Sequence, residues 1–343
     1  MKYSSVGKSG LHVSAICMGT MNFGTPLDES QCSRLVRHAL GSGVTFFDTA
    51  NVYEGYARTF GSSGGVGEEL LGKALDGRRH EALICTKLGN PNGMGPTNAG
   101  LSNRHLTTEL EKSLRRLRTD YVDILLAHRT DPTVAADDLW NTFDRLVRSG
   151  KVLNVGVSNW PSWRMAQVCE LARQHGWTRC TVSSPEYSLL KRDVELEHLP
   201  ACKHYQVGLV TYKALKGGVL TGKYRRNQTD FSGTRAGDRS YWLPELGESL
   251  FDKLEAYQKI VDRSGMSMTE YSLAWLLSRP MVASVIVAFR TTQQLDAVVQ
   301  ACDKQLPEGD VVELDKIFPP PARPGGEQVM RWSDGWVLED REL

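Results

Sequence analysis

Four residues in the first half of the sequence are of the types that proton transfer at a carbonyl needs: Asp48, Tyr53, Lys87 and His128. Hydride arriving at a carbonyl carbon leaves a developing alkoxide, and that oxygen takes a proton from an acid already in place. A phenol can supply it, but with an ordinary pKa near ~10 it is a poor donor unless a neighbouring cation lowers that value. Lys87 is the available cation. Asp48 would hold the ammonium in position and keep it charged, and His128 would donate to or orient the carbonyl oxygen. Taken singly, an aspartate or histidine is more often a satisfied structural group and a lysine is usually solvated. The set carries the meaning, provided the chain brings it together.

The pattern that could do so is a repeat of short, apolar, β-branched runs, each followed by a loop and a segment of helical spacing. Strands are expected at Ala15 to Gly19, Thr45 to Asp48, Ala82 to Lys87, Val122 to His128, Leu153 to Ser158, Thr181 to Ser184, Gly208 to Tyr212 and Ser284 to Val287. Helical segments between them include Asp28 to Leu40, Val66 to Leu75, Arg104 to Leu117, Asp137 to Arg148 and Pro161 to Gln174. At 343 residues, length alone suggests about two domains. Eight βα units instead predict an α/β chain folded as one closed (β/α)8 TIM barrel, with 1–14 as a capping hairpin, 15–302 as the barrel and 303–343 as a C-terminal tail that is mostly loop. In such a barrel the reactive groups lie at the carboxyl ends of the strands. Asp48, Lys87 and His128 end the second, third and fourth strands, and Tyr53 lies five residues into the second loop.

These residues sit in stretches that resemble the aldo-keto reductases along nearly the whole chain. Phe46-Phe47-Asp48-Thr49-Ala50-Asn51-Val52-Tyr53 is similar to that family's first signature, and Cys85-Thr86-Lys87 to its lysine strand. Ser113 to Asp123, followed by His128-Arg129-Thr130-Asp131, and Gly150-Lys151-Val152 through Gly156-Val157-Ser158-Asn159 complete the pattern. The resemblance implies that Asp48, Tyr53, Lys87 and His128 form a catalytic tetrad with Tyr53 as general acid. Leu101 to Leu106 is similar to the branch that contains potassium-channel β subunits, bacterial aldehyde reductases and deoxysugar-nucleotide reductases.

The same resemblance implies NADPH/NADP+ as cofactor, held without a Rossmann motif. Ser158 and Asn159 match the pair that bonds the nicotinamide amide, and Tyr212 matches the ring that stacks on it. Gly19, Thr20 and Met21, at and after the first strand, fall on the cofactor track with Asp48. Lys213, Ala214, Leu215, Gly217, Gly218 and Lys223 resemble the loop around the pyrophosphate, where glycine exposes backbone N–H groups. Ala288, Arg290, Thr291 and Gln294 match the adenosine end, and a guanidinium beside a helix N-terminus suits a 2′-phosphate. The chain departs from the pattern at Ser184, where glutamine is usual, at Val298 and Ala288 in place of asparagine and glycine, and at Lys213 to Lys216, which lack the usual proline. Gly61 to Gly67 fits neither G-x-G-x-x-G nor a P-loop and is expected to be a loop leading into a helix.

With 41 Lys plus Arg against 40 Asp plus Glu, nothing electrostatic favours nucleic acid as a partner. No apolar run reaches the length of a membrane span, and seven scattered cysteines without a C-x-x-C pair point to reduced thiols in a cytoplasmic protein with no metal site. The expected partner is a small carbonyl substrate. Its pocket would be formed by the loops Glu54 to Gly65, Gly89 to Leu101 and Lys216 to Pro244, and by the tail with Trp332 and Trp336. Phe23, Tyr56 and Trp160 are aromatic candidates for its wall. Two alternative functions are a keto-deoxysugar-nucleotide reductase, whose anionic substrate would suit Lys213, Lys216 or Arg129, and a cofactor-sensing regulatory subunit with little turnover.

Overall fold

The structure is a computed structural model that describes residues 1–307 and 309–322. Strands β1 (Tyr3–Ser5) and β2 (His12–Ser14) pair antiparallel in a hairpin. The next eight close into a barrel: β3 (Ile16–Gly19), β4 (Phe46–Asp48), β5 (Leu83–Leu88), β6 (Val122–Ala127), β7 (Val152–Ser158), β8 (Cys180–Ser184), β9 (Gly208–Thr211) and β10 (Val282–Val287). Every neighbouring pair is parallel, and β10 returns to β3. Helices α1 (Glu29–Gly41), α2 (Val66–Ala74), α3 (Asn103–Leu117), α4 (Ala136–Arg148), α5 (Ser162–His175) and α6 (His198–Tyr205) fill the connections as far as β9. The longer link from β9 to β10 carries α7 (Arg235–Arg239), α8 (Glu248–Ser264) and α9 (Met268–Leu277); α10 (Thr292–Ala301) and α11 (Asp310–Ile317) follow the barrel. The fold is therefore the expected (β/α)8 barrel with an N-terminal hairpin.

Strand periodicity sorts the core into two compartments. Cys17, Phe46, Cys85, Ile124, Leu126, Val182 and Val210 fill the barrel interior, and Val6 and Val13 of the hairpin segment join them at its amino-terminal end. Their neighbours along the strands, such as Phe47, Ile84 and Leu125, face outward and pack with Trp140, Phe143 and Trp275 from the helices. Because both faces of each strand are covered, the runs read as apolar rather than alternating. Several helices begin on a side-chain cap: Asp28 and Gln31 form a capping box at α1, Ser267 and Glu270 one at α9, and Ser102 caps α3. Gly156 lies at an irregularity between β7 and β8 where a Cβ would stand 2.1 Å from the Val182 carbonyl oxygen, so no other residue fits.

Two differences from the sequence expectation matter. The last barrel strand begins at Val282 rather than Ser284. The stretch from Asp303, expected to be mostly loop, contains α11; buried Arg192 fastens it by donating to Asp315 and to the Phe318 carbonyl, both at 2.6 Å. Trp332 and Trp336 lie outside the described residues.

Candidate active site

Register brings the four polar groups to the carboxyl rim. Asp48 pairs along the sheet with Cys85, two residues before Lys87, so both side chains point into the barrel top. His128 follows β6 directly, its backbone N–H bonded to the Leu88 carbonyl at 2.8 Å. Tyr53 is set by its loop. Its N–H meets the Ala50 carbonyl at 3.0 Å and its carbonyl accepts the Gly67 N–H at 2.8 Å. A Cβ on Gly67 would stand 3.0 Å from that of Tyr53, and this close approach seats the first turn of α2 against the tyrosine.

The side chains converge on Lys87. Its ammonium donates to Asp48 Oδ1 at 2.6 Å, to the Thr49 carbonyl at 2.8 Å and to Tyr53 Oη at 3.3 Å, which uses all three of its protons. Tyr53 Oη accepts that bond, leaving its own proton available outward. The Tyr53 and His128 rings meet edge to face, with centroids 6.0 Å apart. Asp48, Lys87 and His128 are buried. Burial opposes the charge on Lys87, but the Asp48 carboxylate, followed by Tyr53, raises its pKa above the ordinary lysine value. Burial lifts Asp48 above the usual carboxylate range, while Lys87 pulls it back. For His128, burial first, then the charges of Lys87, Arg129 and Arg58, push the pKa well down, so the imidazole is neutral.

Tyr53 departs from expectation. Lys87 does lower its pKa, but burial raises it more, and Asp48 adds to the rise. Burial takes the phenolate out of water, and the carboxylate 2.6 Å from Lys87 offsets part of the ammonium's field at Tyr53. The phenol therefore keeps its proton firmly at neutral pH, which is the state a proton donor must be in.

Around this centre, Ser158 Oγ donates to the Ser184 carbonyl at 3.0 Å. Asn159 donates to the His128 carbonyl at 3.1 Å and to Ser158 at 3.0 Å, and accepts from the Tyr212 hydroxyl at 2.5 Å. Among the described residues, the buried oxygens Ser184 Oγ, Thr20 Oγ1 and Asp48 Oδ2 have no protein hydrogen-bond partner. Gly19 ends β3 and Met21 is half-buried just beyond it. Gly217 and Gly218 lie in a short 3-10 segment, Lys216–Thr221, while Ala214 turns its side chain into the core and Leu215 packs partly against it. Ala288 is exposed after β10, and Val298 is buried in the core.

Lys213 and Lys216, two of the three cations expected to meet an anionic substrate, both pair with Glu186, which holds both ammonium groups and offsets one of the two charges. Thr291 caps α10, and the Gln294 side chain accepts the Arg290 N–H at 2.8 Å. The Arg290 guanidinium pairs with Asp238 and donates to the Gly233 carbonyl at 2.8 Å. Lys223 is unmatched by any acid among the described residues; burial, then Arg290 and Arg235, lower its pKa. Of the aromatic candidates, Phe23 has no exposed surface and belongs to the core, and Trp160 is buried beneath Arg164. Tyr56 bridges to the β9–β10 link instead, accepting from Arg235 at 2.9 Å. Two cavities of about 420 and 440 Å³ open beside the hairpin, at the opposite end from the polar cluster.

Glu186, Asp238 and Arg58 carry no signal in the sequence. The partners of Glu186 and Asp238 lie tens of residues away, and Arg58 joins Val52 to the distant Pro91, so no spacing rule links them.

The barrel with a polar cluster at its carboxyl rim defines an enzyme of the barrel class, in which chemistry is assembled from strand ends. The family model described as "Aldo/keto reductase family" matches residues 15–318, and the chain belongs to that family. The protein is similar to an uncharacterized oxidoreductase, YrpG, of Bacillus subtilis, with 35% identity over 95% of this chain and 98% of the relative. It is also similar to a probable voltage-gated potassium channel subunit beta of Oryza sativa, at 32% over 88% and 92%. A third relative is the versiconal hemiacetal acetate reductase of Aspergillus parasiticus, at 29% over 96% and 100%. The chain is an oxidoreductase of this family.

Proposed function

We propose that this oxidoreductase reduces an aldehyde or ketone to an alcohol with NADPH, using Tyr53 as the general acid. The observation that carries the reading is the Lys87 ammonium, which donates at once to Asp48 and to Tyr53 Oη with His128 against the same phenol. Bound NADPH would supply the hydride. Tyr53 would give its proton to the carbonyl oxygen as negative charge grows there, and the Lys87 N–H on Oη would stabilise the phenolate left behind. Asp48 keeps the ammonium charged and aimed. Neutral His128 would donate one N–H to the same carbonyl oxygen.

The residues present fit the cofactor. Unpartnered Ser184 Oγ, beside Ser158 and Asn159, suits the carboxamide end. Lys223, Gly217 and Gly218 suit the pyrophosphate, and Arg290 with Thr291 suits a 2′-phosphate. What supports NADPH over NADH is Arg290 beside Thr291 at the N-terminus of α10, a guanidinium that would exchange Asp238 for the 2′-phosphate. The test is NADPH oxidation by the pure protein over a panel of aldehydes and ketones, beside Tyr53→Phe. General acid catalysis contributes about 10²–10⁴-fold, so Tyr53→Phe should lower kcat by that order with NADPH affinity retained. Equal rates for the two proteins over the whole panel defeat the mechanism.

A second reading, a cofactor-sensing regulatory subunit, draws on the likeness to the potassium-channel relative. Co-purification with a membrane partner, together with turnover negligible across the panel, would favour it.

A further inference from the structure

Of the three cations that would suit an anionic substrate, Lys213 and Lys216 are both held by Glu186, which ties down their ammonium groups and offsets one of the two charges. Arg129 is the third. It directly follows His128, is exposed, and pairs with no acid among the described residues. The nearest acid in sequence, Asp131, is spent elsewhere: it accepts the Leu101 N–H at 2.8 Å, the Thr133 N–H at 2.9 Å and the Thr133 hydroxyl at 2.6 Å.

A second guanidinium stands on the loop after β4, the loop that carries Tyr53. Arg58 donates to the Val52 carbonyl at 2.7 Å and to the Pro91 carbonyl at 2.6 Å, which ties together the two loops that follow β4 and β5. These bonds fix its position without cancelling its charge. Both arginines act on the His128 imidazole, and Arg129 acts also on the Tyr212 hydroxyl. Among the described residues neither guanidinium is paired with an acid, so two positive charges flank the proton-donating centre of a protein whose net charge is only +1. The same two loops hold Phe60 and Met94 exposed, at 92% and 75%, so apolar surface is offered beside the charge.

We infer that the carbonyl substrates of this site carry an anionic group, a carboxylate or a phosphate, on an apolar body, with Arg129 binding the anion and Arg58 reinforcing the field. A guanidinium can take such a group through two parallel N–H bonds, which fixes orientation as well as affinity. The inference rests on the reductase reading and names the substrate class for it. It also makes Arg129 a specificity residue rather than part of the proton relay.

The experiment compares kcat/KM for 4-formylbenzoate and 4-formylphenyl phosphate with that for the neutral methyl 4-formylbenzoate, in wild type, Arg129→Gln and Arg129→Lys. Wild type should favour at least one anionic aldehyde over the ester by about tenfold, a preference that shrinks as salt is raised. Arg129→Gln should bring the ratio close to one, and Arg129→Lys should restore part of it. Which anionic aldehyde is preferred separates carboxylate from phosphate. A wild-type ratio near one, or the same ratio in wild type and Arg129→Gln, overturns the inference.

Calorimetric titration of 4-(hydroxymethyl)benzoate and 4-(hydroxymethyl)phenyl phosphate into the protein with NADP+ present reads the anion site without turnover. If no aldehyde is reduced, the reductase reading fails. The titration then decides alone: weaker binding in Arg129→Gln supports the anion site, and equal binding in both proteins refutes it.

Discussion

Asp48→Asn is the sharpest perturbation of the site, because it keeps the shape of the side chain and removes only the charge facing Lys87. The two groups are 2.6 Å apart with side chains each 4% exposed, so no solvent takes the place of the lost carboxylate. Breaking a buried pair by removing one partner costs about 3–5 kcal/mol. Unfolding entropy of roughly 2.1 cal/mol/K per residue over 343 residues gives roughly 0.7 kcal/mol/K, and the melting temperature should fall by about 4–7 °C. The pH dependence has a definite sign. In wild type the raised Lys87 pKa stabilises the fold fully below the ordinary lysine pKa, and that stabilisation is lost as pH rises beyond it. In Asp48→Asn, burial is the leading influence left and lowers the Lys87 pKa. The variant's deficit is then full at neutral pH and shrinks as pH climbs towards about 10, where an unfolded lysine also sheds its proton. Lys87→Met should cost less, because burial already favours the protonated, neutral form of Asp48. The double variant should lose less than the sum of the two single ones. Calorimetric melts of the four proteins at neutral and alkaline pH test this. A deficit below about 0.5 kcal/mol for Asp48→Asn at pH 7, or one that does not narrow at alkaline pH, would refute the buried pair as the device that holds Lys87.

Two further expectations concern the frame. Burial pushes the His198 pKa down to about 4, with the Ser183 hydroxyl 2.8 Å from its Nε2. A depressed histidine gives stability that is present above the ordinary value and lost as pH falls towards the depressed one, so His198 should account for roughly 2 kcal/mol of lost stability between pH 7 and 5. Urea unfolding at both pH values should show a smaller drop in His198→Gln, and an equal drop refutes the assignment. Gly156→Ala would place a carbon 2.1 Å from the Val182 carbonyl oxygen between two barrel strands. It should abolish folding or cost more than about 4 kcal/mol. A near-wild-type circular dichroism melt for that variant would show that the strands can part.

The legible part of this protein is the part written in local pattern. Short apolar runs covered on both faces, helical spacing between them and capping residues such as Asp28 and Ser102 specify the βα order, and that order places Asp48, Lys87 and His128 at successive strand ends. The helix α11 is not legible in the sequence because its signal is weak beside the prolines that follow it. It is held by Arg192, Arg263 and Tyr271, all of which lie tens of residues or more earlier in the chain.

What the sequence by itself determined is the barrel, its closure through eight units and the residue types at its rim, because periodicity and strand-end position need no distant partner. Only the tertiary structure decided the charge states and partnerships there. Tyr53 holds its proton more firmly than the expected Lys87 effect implied, Phe23 belongs to the core, and Glu186 takes both Lys213 and Lys216. The physical reason is the same in each case: burial and the field at a site depend on which loops fold over it, and those contacts are made between segments with no shared spacing in the chain.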